Sequence, residues 1–347
     1  MKAHSGPARA NAANDHADRG TVLVTGATGH VGANLVRALL AQGRRVRVLV
    51  RRQARSIEGL PVEAVLGDLL DGASLRAACT GAATVFHLGA VVSAGWEEPS
   101  RIDEVNVRGT ANLVDACLAS GVRRLLHFSS IQALTPRPGD GFLDRASILV
   151  GPGERGRGAY DRSKAESERL VLASVERGLD PTILNPTAVL GPFDFQPSPM
   201  GDVLRALALG KLPALVSDGH CDFVDVRDVA LAALVAEDQG GRGERYLISG
   251  ARLSLVELAR RWATVTGKAA PRLAVPMVVV RLAAPFAASY ARLRRRRPLL
   301  TSDSLRILRT QPPVHRQEAE NELGYRPRPI DETLRDTYSW MKEQGWL

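Results

Sequence analysis

Thr21-Val-Leu-Val-Thr-Gly26-Ala-Thr-Gly29-His-Val-Gly32 decides the fold of this chain. An apolar run of strand character enters a glycine turn, after which apolar residues (Val31, Leu35, Val36, Leu39) recur at helical spacing. The three glycines differ in what geometry asks of them. Gly26 can make the tight turn, Gly29 lets backbone approach a pyrophosphate, and Gly32 lets the helix pack against the strand. The N-terminus of such a helix offers unpaired N–H groups and the positive end of its dipole, so phosphate is the expected occupant. The spacing is G-x-x-G-x-x-G rather than the more widespread G-x-G-x-x-G. Glycine trios are common; the position between a strand and a helix, near the start of a domain, makes this one point to a nucleotide cofactor.

Outward from the turn, residues 46–50, 62–66, 84–88 and 124–128 read as further strands and residues 182–184 as the core of a sixth. Helical patterns fill the gaps, notably over residues 103–119 and 160–177. Strands alternating with helices at this spacing predict the α/β class: a Rossmann-like, doubly wound parallel sheet covered on both faces. Such sheets bind ligands outside the carboxyl ends of their strands, where every motif below falls. From about residue 191 the pattern changes to proline- and glycine-rich loops and shorter helices, with a capping box at Ser254-Leu-Val-Glu257 and a stop at Gly267. The expected organisation is a disordered tail (1–19), a cofactor-binding domain (20–190) to which 222–250 return, and a smaller α+β substrate lobe (191–221 and 251–347).

Composition narrows the function. The net charge is +9 and the pI about 10, yet the arginines are scattered and aromatics make up only 5%, so nucleic acid is not expected as a partner. Cys79, Cys117 and Cys221 are isolated and lack metal-ligand spacing, which predicts no metal and a reducing cytoplasm. The first nineteen residues lack the apolar core of a signal peptide. Residues 273–291 are apolar and precede Arg292 and Arg294 to Arg297, but Arg281, Pro276 and Pro285 interrupt them. A helix over an apolar pocket is expected there rather than a membrane span, with membrane-surface contact the lesser alternative.

Tyr160-Asp-Arg-Ser-Lys164 is the second strong motif. At i and i+4 on a helix, the phenol and the ammonium share a face. A free phenol titrates near pH 10, and a neighbouring ammonium is expected to favour the phenolate and bring it toward the working range. Ser130, at the end of the fifth strand, can place its hydroxyl beside the phenol. A surface Tyr–Lys pair on an amphipathic helix is the bland alternative; the serine pair upstream and the glycine turn argue against it.

These residues carry a resemblance. The chain resembles the extended short-chain dehydrogenases/reductases of the NAD-dependent epimerase/dehydratase superfamily, and within them the dihydroflavonol-reductase and 3β-hydroxysteroid-dehydrogenase-like branch. Thr25 to Gly32 is similar to the cofactor turn, Gly67-Asp68-Leu69 to the adenine segment, His87-Leu-Gly-Ala90 to the fourth-strand motif, and Asn185 to Pro192 to the loop that holds the carboxamide; Glu322 to Pro327 is also family-like. The likeness spans about residues 20–345. It implies Ser130, Tyr160 and Lys164 as catalytic residues, with Ser129 the alternative serine. It implies cofactor contacts at Gly26, Thr28, Gly29, His30, Val31 and Gly32, at Asp68 and Leu69, and at Leu88, Gly89 and Ala90. Further contacts fall at Ser129, Tyr160, Lys164, Pro186, Thr187, Ala188 and Val189. His30 departs from the aromatic residue usual in the family.

The second strand ends Val50-Arg51-Arg52, with no carboxylate within several residues. An acid there would bind a ribose 2′-hydroxyl, whereas a guanidinium can clasp a 2′-phosphate, so NADP(H) is expected, through Arg51 first and Arg52 second, with NAD(H) the alternative. The implied activity is hydride transfer between the nicotinamide and a carbonyl or secondary alcohol, with Tyr160 as general acid/base. A sugar-nucleotide epimerase or dehydratase is the first alternative; Ile131-Gln132 stands where such dehydratases place Asp-Glu, and Arg51 where epimerases usually carry an acid. A non-catalytic NADP(H)-binding sensor is the second; such relatives tend to lose the tyrosine or lysine kept here. Phe193, Phe195, Leu204 and Met277 point to an apolar pocket for a small hydrophobic substrate. The resemblance also implies a homodimer formed through the helices at 103–119 and 160–177.

Overall fold

A computed structural model describes residues 20–92, 98–280 and 302–347. The expected tail (1–19) and residues 281–301 of the apolar and basic segment lie outside the described residues. The chain runs β1 (Thr21–Thr25), α1 (His30–Ala41), β2 (Val46–Val50), β3 (Glu63–Leu66), α2 (Gly72–Cys79), β4 (Ala82–His87) and α3 (Pro99–Asp103). A π-helical turn (Glu104–Arg108) leads into α4 (Gly109–Ala119), β5 (Arg124–Phe128), a hairpin of β6 (Leu134–Thr135) and β7 (Ile148–Leu149), α5 (Ala159–Ala173) and β8 (Asp180–Pro186). Then come β9 (Ala188–Leu190), α6 (Pro199–Ala208), β10 (Ala214–Val216), β11 (Cys221–Asp225), α7 (Val226–Gln239), β12 (Arg245–Ile248) and β13 (Ala251–Leu253). The described chain closes with α8 (Leu255–Thr266), β14 (Leu273–Val275), α9 (Ser302–Thr310), α10 (Gln317–Glu322) and α11 (Ile330–Glu343).

Seven strands form one parallel sheet in the order β12-β8-β5-β4-β1-β2-β3. Val22, Leu23 and Val24 of β1 have no solvent exposure, which is why the central strand reads as an unbroken apolar run. On one face Leu35, Val36 and Leu39 of α1 share a core with Val229, Ala230 and Ala233 of α7. On the other, Leu75 of α2, Leu113 of α4 and Val171 of α5 pack over Leu23, Val85 and Leu125. The chain order reverses between β1 and β4, so the crevice for a ligand opens at the carboxyl ends of those two strands.

A second core gathers Leu204, Phe223, Leu258, Trp262, Leu334 and Trp340. Beside it β9, β11 and β13 make a three-stranded sheet, and β10 pairs with β14. Of the stretch 222–250, α7 lies against α1 and β12 joins the main sheet, whereas β11 pairs with β9 and β13. The capping box at the start of α8 forms as its spacing predicts, with Gly267 left-handed at φ 70° behind it.

Four local expectations need correction. The helix expected over 103–119 begins earlier and carries the π turn at Glu104–Arg108, which shifts the register of its buried face. The helix expected over 160–177 ends at Ala173, followed by tight turns closing at Gly178 with φ 98°. Leu273–Val275, expected to be helical, is a strand, and Leu204 and Met277 are core residues rather than pocket lining.

Candidate active site

The glycine turn has the geometry its spacing predicts. Gly26 has φ 74°, and a Cβ on it would meet the Gly89 amide nitrogen at 2.6 Å. A Cβ on Gly32 would lie 2.1 Å from the Gly26 carbonyl oxygen, so this glycine lets α1 butt against the turn. Gly29 is the N-cap residue in extended conformation, with no side chain capping the helix. The first turn of α1 therefore offers its amides to an anion. Thr28 and Val31 are half-buried around this exposed Gly29. Thr25 Oγ1 accepts from the Gly89 amide at 3.2 Å and bonds His87 Nδ1 at 2.7 Å, which ties the turn to the segment Leu88-Gly89-Ala90.

His30 does more than lend its backbone. Its Nε2 donates to the carbonyl oxygens of Gly191 and Pro192, each at 3.1 Å, and Asn34 Nδ2 donates to the same Pro192 carbonyl at 3.0 Å. One turn further, the Arg37 guanidinium lies 4.4 Å from the centre of the Phe193 ring, and Phe193 has a positive φ of 63°. Phe193 and Phe195 lie beside Trp340 in the second core, so their rings support a loop.

At the adenine side, Arg51 and Arg52 are exposed beyond β2. Asp68 Oδ1 accepts from the Leu70 amide at 2.9 Å, fixing a turn, while the Leu69 carbonyl takes a bond from Asn112 at 3.0 Å. Asp68, Leu69, Leu88, Gly89 and Ala90 are all half-buried along one crevice wall.

The carboxyl end of β5 carries Ser129 and Ser130. Ser130 caps the short turn Ile131–Ala133, and its Oγ accepts from the Gln132 amide at 3.1 Å. The same hydroxyl lies beside the Tyr160 phenol, from the first turn of α5, near enough to favour its ionised form. Ser129 Oγ is buried without a partner, so of the pair Ser130 is the serine that meets the tyrosine. Burial pushes the phenol up to about 12 against the opposing Ser130 hydroxyl, with Asp161 adding to the rise. Burial also brings Lys164 down to about 8, offset by Glu168, and its Nζ donates to the Phe128 carbonyl oxygen at 2.5 Å. The expected lowering of the phenol by the ammonium is thus not seen: burial sets the direction, only Ser130 opposes it, and the lysine faces a backbone oxygen.

Two amide side chains at this end of the crevice make contacts that the sequence did not assign, although Asn185 begins the expected carboxamide loop. Asn106, in the π turn, clamps Val91 through both main-chain groups (2.7 and 3.0 Å) and donates to Ser163 Oγ at 2.9 Å. Asn185, at the end of β8, donates to the Ser130 carbonyl at 3.1 Å and to Glu168 Oε2 at 3.0 Å. The only sequence signal for either was an amide side chain inside an otherwise apolar run. Beyond Asn185, Pro186 and Thr187 are buried, and Ala188 and Val189 pair with Phe223 and Val224, so part of the expected carboxamide loop is strand.

The residues fit a dinucleotide. The uncapped helix start suits a pyrophosphate, and the buried, unpartnered Ser129 Oγ is a polar atom left over at the far end of the crevice.

Comparison with known proteins agrees with this geometry. The sequence profile of the NAD dependent epimerase/dehydratase family matches residues 22–249, and the chain belongs to that family, the extended short-chain dehydrogenases/reductases. It is 39% identical to sterol demethylase protein B of Methylococcus capsulatus, over 94% of this chain and 100% of that protein. It is 33% identical to a putative dihydroflavonol 4-reductase of Synechocystis, over 94% and 95%. Among solved structures, gox2253 superposes with a TM-score of 0.81 at 31% identity, covering 94% of this chain and 99% of that one. A nucleoside-diphosphate-sugar epimerase of Pseudomonas aeruginosa gives 0.76 at 25% identity, with 94% and 99% covered. The protein is an NAD(P)-dependent enzyme acting on carbonyl or alcohol groups.

Proposed function

We propose that the enzyme is an NADP(H)-dependent oxidoreductase acting on a small hydrophobic carbonyl compound or the matching secondary alcohol, with Tyr160 as general acid/base. The observation that carries this reading is the meeting of the Ser130 and Tyr160 side chains at the carboxyl end of β5. When bound, the nicotinamide supplies or takes up the hydride. Because the Gln132 amide donates to Ser130 Oγ, the serine's own proton can be directed at the phenol oxygen or at a substrate oxygen. Tyr160, pushed up to about 12, is protonated at neutral pH, the state needed to deliver a proton to the alkoxide formed in reduction. Lys164, one turn along α5 from Tyr160 and buried, would hold a ribose hydroxyl and balance a phenolate.

Exposed Arg51 and Arg52 and the absence of an acid after β2 support NADP(H). Relatives whose names refer to a sterol and to a dihydroflavonol favour a polycyclic or aromatic carbonyl substrate. The test is a panel of aromatic, polycyclic and 3-oxo carbonyl compounds, followed by nicotinamide absorbance with both cofactors. Wild type should consume NADPH with at least one class. Tyr160→Phe should still bind NADPH but lose turnover by orders of magnitude. Undiminished turnover in Tyr160→Phe, or protein that carries tightly bound NAD and consumes no added NADPH, would overturn the reading.

A further inference from the structure

We propose that Asn185 is a positioning residue that sets the distance between Ser130 and Tyr160; this rests on the functional reading above. The two hydroxyls come from different elements, Ser130 from the turn after β5 and Tyr160 from α5. Their contact depends on how the helix sits over the strand end, and one carboxamide touches both. Asn185 Nδ2 donates to the Ser130 carbonyl oxygen at 3.1 Å and to Glu168 Oε2 at 3.0 Å, and Glu168 lies on α5 eight residues beyond Tyr160.

The far side of this bridge is fixed. Glu168 has no solvent exposure and is held by Arg245 from β12, whose Nε donates to Oε1 at 2.6 Å. Arg245 Nη1 is anchored in turn on the carbonyls of Arg145 and Ser147, each at 3.0 Å. Asn185 itself is fully buried on β8, between β5 and β12 in the sheet. The amide orientation is determined, because the nitrogen faces two acceptors and no other placement satisfies both. On the serine side, the Ser130 carbonyl also accepts from the Ala133 amide at 3.0 Å, so Asn185 adds a second constraint from a different strand. A shift of about 1 Å in a positioned group is enough to cost on the order of a hundredfold in rate. Neither Ser130 carbonyl nor Glu168 loses its last partner when Asn185 is replaced, so the fold should survive an apolar side chain of similar volume.

The test is a double-mutant cycle of Asn185→Leu and Ser130→Ala, with NADPH and the most rapidly reduced compound of the panel. Asn185→Leu alone should lower kcat at least tenfold with NADPH affinity within about threefold of wild type. On the Ser130→Ala background it should change kcat less than threefold, because the serine through which it acts is gone. Losses that multiply in the double variant, or an unchanged kcat in folded Asn185→Leu, overturn the inference while leaving the functional reading intact. Should Asn185→Leu not unfold cooperatively, Asn185→Ser is put through the same cycle and judged by the same outcomes. Should wild type turn over nothing in the panel, the functional reading fails; a crystal structure of the Asn185 variant then decides the geometric claim. A changed separation of the Ser130 and Tyr160 hydroxyls supports it and an unchanged one overturns it.

Discussion

At the scale of single residues, burial governs the chemistry of this site more than charge proximity does. The i, i+4 spacing of Tyr160 and Lys164 was legible in the sequence, but its electrostatic consequence was not, because spacing says nothing about desolvation. Lys164 falls from an ordinary 10.5 to about 8, so between those pH values the unfolded chain binds more protons than the folded one. Stability contributed by this position therefore rises with pH across that window. Denaturant titrations of wild type and Lys164→Met should show the variant's relative advantage shrinking from pH 8 to pH 10.5. A gap that stays constant would mean the lysine is not depressed. Arg51 belongs to the same scale. Arg51→Asp should weaken NADPH far more than NADH in a fluorescence titration, since only NADPH carries the 2′-phosphate. Equal losses would remove Arg51 from cofactor selection.

At the scale of elements, α1 shows how one helix serves two surfaces. Its glycine-lined start faces the crevice, and a stripe of His30, Asn34 and Arg37 holds the loop 191–193, about 160 residues away in sequence. The sequence marked His30 as a departure from an aromatic residue; the partner that explains it, a pair of backbone carbonyls, could be seen only in three dimensions. The glycine turn, by contrast, was fully legible. Gly32→Ala tests it, because the added carbon would sit 2.1 Å from the Gly26 oxygen and 2.8 Å from Ala27 Cα. The expected result is a loss of about 1–3 kcal/mol in stability, with cofactor affinity falling at least tenfold. Wild-type affinity in that variant would mean α1 can move aside without cost. The π turn in front of α4 was invisible for the opposite reason: it shifts the register inside a continuous helical run, and no residue type marks where.

At the scale of the whole molecule, the C-terminal helix is tied to the central sheet layer by buried charge. Arg328, just before α11, bonds Asp228 of α7 through both its amide and its Nε, each at 2.8 Å, and lies 3.6 Å from the fully buried Asp225 carboxylate. Asp225 keeps its bonds from Arg227 but adjoins Asp228, so losing Arg328 leaves the Asp228 carboxylate uncompensated beside another in a low-dielectric setting. Arg328→Ala should destabilise the fold by about 2–4 kcal/mol, measured by chemical denaturation, with Arg328→Lys recovering part of the loss. A midpoint within error of wild type would show that α11 is held by its apolar face alone. None of this ion-pair network could be read from the sequence, because its members lie about 100 residues apart.

The amino-acid order by itself determined the parallel sheet, the phosphate turn and the candidate tyrosine–lysine pair, because each is written in local spacing and in strands buried on both faces. Tertiary structure alone decided which of two adjacent serines meets the tyrosine, which way the lysine points, and that Asn106 and Asn185 brace the site. Those choices depend on contacts between segments distant in sequence, and on the removal of water from groups whose ionisation no local pattern records.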